Sequence, residues 1–156
     1  MKKYILFPSL FVIVLIFGGC AKSKTCSPNP PSNESVAMLA YATAHGFNMT
    51  PHSSGMYYEI ITPGSGPTVT TSSRIRITYT GLLLDDTEFD KKDTPNTTPW
   101  LLAGLIEGWQ IGIPMIQKGG RIRMLIPSAL AYGCTAYGPI PGNSPLFFDV
   151  ALVDAQ

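Results

Sequence analysis

The residues able to do chemistry in this chain gather around one stretch, Leu105 to Gly133, which reads LIEGWQIGIPMIQKGGRIRMLIPSALAYG and holds Trp109 and Tyr132. Tyr79, Phe89, Asp90, Trp100, Tyr137, Ile140 and Phe148 flank it on both sides. Metal or nucleophilic chemistry finds no foothold in the spacing. His45 and His52, separated by a glycine and a proline, read as local hydrogen-bonding residues, and Cys26 and Cys134 make no ligand cluster with them. Nothing around Cys134 supplies a base to activate its thiol. Trp109 on an apolar helix face is by itself more simply a core residue than a binding platform, and Phe89 and Phe148 are core on any reading. Tyr132 is harder to explain as packing, because a buried phenol needs a hydrogen-bond partner. Asp90 alone reads as a carboxylate capping a turn.

These residues need elements to hold them. Leu105, Ile106, Trp109, Ile113 and Ile116 give one apolar side of a helix that Pro114 limits to about two turns. Gly119-Gly120 then reverses the chain, and Arg121, Arg123 and Leu125 alternate with Ile122, Met124 and Ile126 as in a strand with one face in the core. A helix this short must lie against a sheet. Upstream, Met56 to Ile61 and Arg74 to Thr80 read as strands, the second with Ile75, Ile77 and Tyr79 on one face. Gly81 marks a bend, Leu82 to Leu84 continues, Asp85-Asp86 turns and Thr87 to Phe89 returns. Asp90 to Pro99 reads as a polar loop and Trp100 to Leu102 as a short strand. Leu146 to Val153 is apolar on both faces and therefore central. The expected fold is α+β, a curved antiparallel sheet of five to six strands forming a half-barrel wrapped around one short helix.

The first third of the chain reads as delivery. Lys2 and Lys3 precede an apolar run from Tyr4 to Phe17 and then Gly18-Gly19-Cys20, the plan of an export signal over residues 1–19. Residues 20–33 form a polar tether rich in Pro, Ser and Lys, and residues 34–54 a lead-in helix and linker ahead of a domain over 55–156. The helix, Glu34 to Phe47, places Val36, Leu39, Ala40, Ala44 and Phe47 toward one face, with Ser32 or Asn33 as cap and Gly46 at its stop. Losing Lys2 and Lys3 with the leader turns the formal charge of +1 slightly negative, so no basic face serves nucleic acid. An oxidising compartment permits a bond between Cys26 and Cys134, though the spacing does not require one.

Val69 to Val153 carries, in order, Tyr79-Thr-Gly81, Phe89-Asp90, Glu107-Gly-Trp109, Gly119-Gly-Arg121, Ile126-Pro127, Leu130-Ala-Tyr132-Gly133, Ile140-Pro141 and Phe148-Asp-Val150. Jointly these resemble the FKBP-type peptidyl-prolyl isomerases. The resemblance implies an apolar cup made by Tyr79, Phe89, Asp90, Trp100, Leu105, Ile106, Trp109, Tyr132, Ile140 and Phe148, with the proline ring of a substrate on the Trp109 indole. It implies that the Ile106 backbone N–H and the Tyr132 phenol bind substrate carbonyls, and that Asp90 holds nearby donors. No cofactor or metal is expected, and the partners implied are Xaa-Pro polypeptides and, as inhibitors, macrolides. Tyr137 stands where the best-studied members have histidine. Asp85-Asp86 replaces a common Asp-Gly, so the turn must be of a type that tolerates a side chain or must use an aspartate in the left-handed region. Leu101-Leu102-Ala103-Gly104 departs from the usual approach to the helix.

Gly19-Cys20 resembles the processing site of bacterial lipoproteins, which implies a lipid on Cys20, and Ala21 in place of an aspartate after it implies the outer membrane, facing the periplasm. The chain is expected to be a monomer. Besides an active isomerase, a binding module for Pro-containing segments and an anchored structural protein remain as readings. The joint presence of Tyr79, Asp90, Trp109, Tyr132 and Phe148 favours turnover.

Overall fold

The computed structural model describes residues 26–156. The expected leader, the expected lipidation position Cys20 and the first part of the tether lie outside the described residues.

Two-residue alternation builds the sheet. In β3, Arg74–Leu83, Ile75 and Ile77 are fully buried while Arg74 and Arg76 point away. β6, Arg121–Ile126, buries Ile122, Met124 and Ile126. β7, Leu146–Ala155, lies between β6 and β3 and pairs antiparallel with both. Its central place explains why both of its faces are apolar. β2, Tyr57–Thr62, pairs with β6 and carries the two-residue β1, Thr50–Pro51, on its other side. β4, Glu88–Lys92, returns along β3, and β5, Trp100–Leu101, joins the start of β3. Of the two solutions open to the turn between β3 and β4, Asp86 takes the left-handed one, with φ 66°.

The expectation of a half-barrel of five to six strands around one short helix is overturned. The sheet is open, in the order β1, β2, β6, β7, β3, β4 with β5 beside β3, and it has seven strands among the described residues. It is neither closed nor strongly curled, and it has a helix on each face. Alternation in a sequence reveals faces, not closure, and the lead-in helix expected upstream is a second covering element of the sheet. That element is α1, Pro31–Ala44.

The lead-in helix also turns a different side to the sheet than expected. Met38, Tyr41 and Ala42 pack on Leu125 and Phe147, while Val36 is 78% and Leu39 43% exposed. The inward stripe runs through Glu34, Met38, Tyr41 and Ala42, a helical spacing that a search for aliphatic residues alone misses. Pro30 and not Ser32 or Asn33 is the N-cap, with Pro31 as the first helical residue, where a missing N–H costs nothing. Gly46 follows the helix with φ 66°.

The opposite face carries the second helix, α2, Glu107–Gly112, preceded by a tight turn at Leu102–Gly104 and followed by another at Ile113–Met115 that contains Pro114. Beneath it the core gathers Met56, Ile75, Ile77, Trp109, Ile113, Met124, Ile126, Phe148 and Val150. A side chain at Gly108 would collide with Ile126, and one at Gly112 with the Met124 sulfur. These two glycines let α2 lie against β6. On the far face Glu59, Arg123 and Asp149 stand opposite one another on β2, β6 and β7, linked at 3.2 Å and 3.1 Å, and Arg121 adds a fork to Asp149 at 2.7 and 2.9 Å.

The segment Asp90 to Pro99, expected as loop throughout, begins as strand, since β4 runs to Lys92. Its remainder is fastened by Asn96, which is 4% exposed. The Asn96 Oδ1 accepts the Ile77 N–H at 2.9 Å, and its Nδ2 donates to the carbonyls of Ile75 at 3.0 Å and Thr98 at 2.7 Å. Cys26 and Cys134 form a disulfide with Cα atoms 5.6 Å apart.

Candidate functional site

A cavity of about 170 Å³ opens beside α2, lined by Tyr79, Phe89, Asp90, Trp100, Leu105, Ile106, Trp109, Tyr132 and Phe148. Each element contributes for a local reason. β3 and β7 turn Tyr79 and Phe148 inward by their alternation. α2 sets Trp109 on its inner side, 4% exposed, and the loop after β6 brings Tyr132 over the rim.

Trp109 forms the floor between two rings. Tyr79 and Phe148 each stand edge-on to the indole, with centroids 5.1 Å away and interplanar angles of 79° and 81°. Phe89 meets Phe148 edge-on at 5.5 Å. This wall is possible because Gly81 has no side chain, since a Cβ there would lie 2.7 Å from Phe89 and 2.9 Å from Phe148. The indole Nε1 of Trp109 is buried and has no hydrogen-bond partner among the described residues.

The polar edge has three parts. The Tyr79 hydroxyl donates to Asp90 Oδ2 at 2.5 Å, and the Lys91 N–H donates to Asp90 Oδ1 at 2.8 Å. Both oxygens of Asp90 therefore accept, and the carboxylate orients a phenol. Burial, with the Asp90 hydrogen bond second, pushes the Tyr79 phenol well above the ordinary range, so it stays protonated. Burial also raises Tyr132, helped by the nearby Tyr137 and Asp90. Ile106 is the N-cap of α2, and its carbonyl accepts from Trp109 and Gln110 at 2.9 and 3.2 Å. Its own N–H precedes the helix, where no intrahelical acceptor exists.

The other expected residues are placed differently. Ile140 is 3% exposed and packs in the core, outside the lining of the cavity. Tyr137 stands outside it too, 61% exposed, with its ring stacked on Tyr132 at 4.4 Å and 8°. Gln110 was not foreseen. Its Nε2 donates to the Leu105 carbonyl at 2.7 Å and to that of Ala103 at 3.3 Å, which fixes the approach to Ile106. A polar residue one position after Trp109 in a mostly apolar helix was the signal available. His45 bridges Tyr41 and Asp86, and His52 bonds Ser54, both away from the cavity.

Residues 66–153 match the sequence profile of the FKBP-type peptidyl-prolyl cis-trans isomerases. The chain belongs to that family. It is 39% identical over 105 residues to FkpA of Escherichia coli, described as an FKBP-type peptidyl-prolyl cis-trans isomerase, a match covering 67% of this chain and 39% of the relative. FkpA of Buchnera aphidicola from Schizaphis graminum is 42% identical over 123 residues, 76% of this chain and 47% of the relative. The chain thus spans less than half the length of these two relatives. The crystal structure of Escherichia coli FkpA superposes with a TM-score of 0.70 at 33% identity, covering 81% of this chain and 61% of that one. A peptidyl-prolyl cis-trans isomerase from Pseudomonas syringae gives 0.67 at 26% identity, over 83% of this chain and 98% of that one.

Proposed function

We propose that this FKBP-type chain accelerates rotation about Xaa-Pro peptide bonds, with the Trp109 cavity as the seat of the proline ring. The observation that carries the reading is the floor and rim together, an indole flanked edge-on by Tyr79 and Phe148 with phenols at the opening. At about 170 Å³ the cavity is smaller than the roughly 300 to 1,000 Å³ of sites for drug-sized ligands, which suits one ring-sized side chain.

The barrier to be lowered, about 18–20 kcal/mol, comes from amide resonance, which vanishes in the twisted bond. An apolar cup accepts the proline ring but solvates a polar, planar amide poorly, and the twisted amide is the less dipolar form. Catalysis then needs donors aimed at the carbonyl in its rotated position. The Ile106 N–H and the Tyr132 hydroxyl fill that role. Asp90 orders the Tyr79 phenol and is neither acid nor base. No covalent intermediate and no proton transfer enters the scheme.

We further propose that the chain works outside the cytoplasm on exported polypeptides, held to the membrane by lipid on Cys20. Lys2, Lys3, the apolar run and Gly18-Gly19-Cys20 support this, and the Cys26–Cys134 disulfide suits an oxidising compartment. Mass measurement of the mature N-terminus tests it, and an unmodified Cys20 refutes it. Macrolide inhibitors would enter the same cavity, with Tyr137 at its mouth setting their affinity.

The test of activity is a cis/trans exchange assay on short Xaa-Pro peptides, with Trp109→Leu and Tyr132→Phe beside the unaltered chain. Acceleration lost in Trp109→Leu and reduced in Tyr132→Phe is expected. Exchange no faster than in buffer, with the peptide still bound, would instead mark a module that holds Pro-containing segments without turnover.

A further inference from the structure

Three ties run from the segment ahead of the sheet to the loop that carries Tyr132. The first is Glu34, in the opening turn of α1 and only 5% exposed. Its Oε2 accepts the Ser128 N–H at 2.7 Å, and its Oε1 accepts the Ser128 hydroxyl at 2.6 Å and Asn29 Nδ2 at 3.3 Å. Among the described residues it has no cation beside it. The second tie is the disulfide from Cys26 to Cys134. The third is Asn29, whose N–H donates to Asn143 Oδ1 at 3.1 Å.

The loop distributes these ties around Tyr132. Ser128 opens the tight turn Ser128–Leu130, and its carbonyl accepts the N–H of Ala131 at 3.0 Å and of Gly133 at 2.8 Å, the two neighbours of Tyr132. Cys134 lies two residues past Tyr132. Asn143 donates its N–H to the Gly133 carbonyl at 2.8 Å, so the third tie reaches the same place. Tyr132 therefore sits between anchors that all lead back to residues 26–34.

A carboxylate buried under α1 is not needed for packing. An apolar side chain would cover the same surface without the cost of taking a charge out of water. A carboxylate supplies something else, two charge-assisted bonds of fixed direction to a single residue. Here that residue is the one on which the Tyr132 turn is built.

We propose that residues 26–34 form a clasp that fixes the Tyr132 phenol at the rim of the cavity, with Glu34 as its positioning residue and the Cys26–Cys134 bond as its latch. The proposal rests on the isomerase reading of the cavity. The latch responds to redox conditions. A dithiol reductant attacks one sulfur through a thiolate and forms a mixed disulfide, which its second thiol resolves. Cys26 and Cys134 leave as two thiols, and the reductant leaves as a disulfide.

A double-mutant cycle on the full chain, read as kcat/KM for a short Xaa-Pro peptide, separates positioning from general stability. Glu34→Ala is expected to cost about tenfold in the unaltered chain, below the roughly hundredfold that a 1 Å misplacement can cost, and little in a Tyr132→Phe background. Glu34→Gln, which keeps an oxygen for the Ser128 N–H, is expected to recover most of the loss. Dithiothreitol is expected to lower kcat/KM of the unaltered chain and to leave Cys26→Ser/Cys134→Ser, already low, where it is. Thermal unfolding shows which variants remain folded at assay temperature, and the reduced and Gln forms supply the readout if Glu34→Ala does not. An equal loss from Glu34→Ala in both backgrounds, or no loss, overturns Glu34 as a positioning residue. Equal kcat/KM before and after reduction overturns the latch. A Tyr132→Phe chain as active as the original, with Trp109→Leu inactive, overturns the clasp while leaving the cavity as the site. Full activity in Trp109→Leu removes the cavity itself.

Discussion

The phenol of Tyr79 and the carboxylate of Asp90, on neighbouring strands, meet at 2.5 Å on the rim of the cavity, and the carboxylate's other oxygen is held by the Lys91 N–H. Neither group faces the cavity free. Asp90→Ala is expected to release the phenol, and Tyr79→Phe to leave the carboxylate with one donor. A hydrogen bond to a charged group contributes about 1.5–3 kcal/mol, so each change should lower kcat/KM by roughly ten- to a hundredfold. Because both remove the same bond, the double variant should be little worse than the poorer single one. Fully additive losses would show that the two act separately.

The pH profile follows from the same phenols. Tyr79 and Tyr132 are both raised, chiefly by burial, and they stay protonated beyond the ordinary tyrosine value of about 10. The lining of the cavity contains no histidine or cysteine. Turnover should therefore be level from about pH 6 to 9, with no bell shape. The linkage has a definite sign. A phenol whose folded pKa is raised, as for Tyr41, Tyr79 and Tyr132, contributes stability that is whole below the unfolded value and is lost as pH climbs past it. Denaturant midpoints should hold through neutrality and fall only in strong alkali.

Alanine normally stabilises a helix relative to glycine by about 1 kcal/mol. At Gly108 and Gly112 the sign should reverse, because a methyl group would enter the space of Ile126 or the Met124 sulfur. Overpacking of this kind costs about 1–3 kcal/mol, and urea unfolding of Gly108→Ala and Gly112→Ala measures it. A stabilised variant would mean that α2 can lift away from β6.

Asn96→Ala tests a polar core residue away from the chemistry. It removes the acceptor of the Ile77 N–H and the donor to the Ile75 carbonyl, both buried. Unsatisfied buried groups cost about 1–3 kcal/mol each. A drop in stability of that order is expected, with kcat/KM at a temperature well below unfolding nearly unchanged. A large fall in activity would show that the segment after β4 shapes the cavity directly.

The sequence made the inner face of the sheet legible because strands repeat every two residues, and Ile75, Ile77, Tyr79 and Phe148 could be assigned to one side by parity. The short helix was legible from Pro114 and the apolar spacing around Trp109. The far side was not. Tyr41, Met38 and Glu34 share a helical stripe that contains a phenol, a thioether and a carboxylate, so an aliphatic pattern pointed to Val36 and Leu39 instead. Openness of the sheet depends on what covers its second face, which local alternation does not encode. Six-residue α2 conceals its glycines for a related reason, since close approach is a property of the partner strand as well. Gln110 and Asn96 act through backbone carbonyls and N–H groups brought near by folding, and Cys26 with Cys134 spans 108 residues. Ile140 shows the limit of parity in a loop, where no period fixes the direction of a side chain.

β7 follows every other strand in the chain yet lies in the middle of the sheet. Its partner residues on β3 are some seventy positions earlier, as Tyr79 with Val150, and distant pairing must overcome loop-closure entropy first, so β7 is expected to dock late and slowly. Until β7 arrives, β3 with β4 and β2 with β6 are separate pieces with unpaired edges, and Trp109 lacks the Phe148 side of its cradle. A chain in that condition has exposed edges that invite association. Arrival of one strand covers those edges, so the step that makes the sheet continuous is the step that brings the cavity into being.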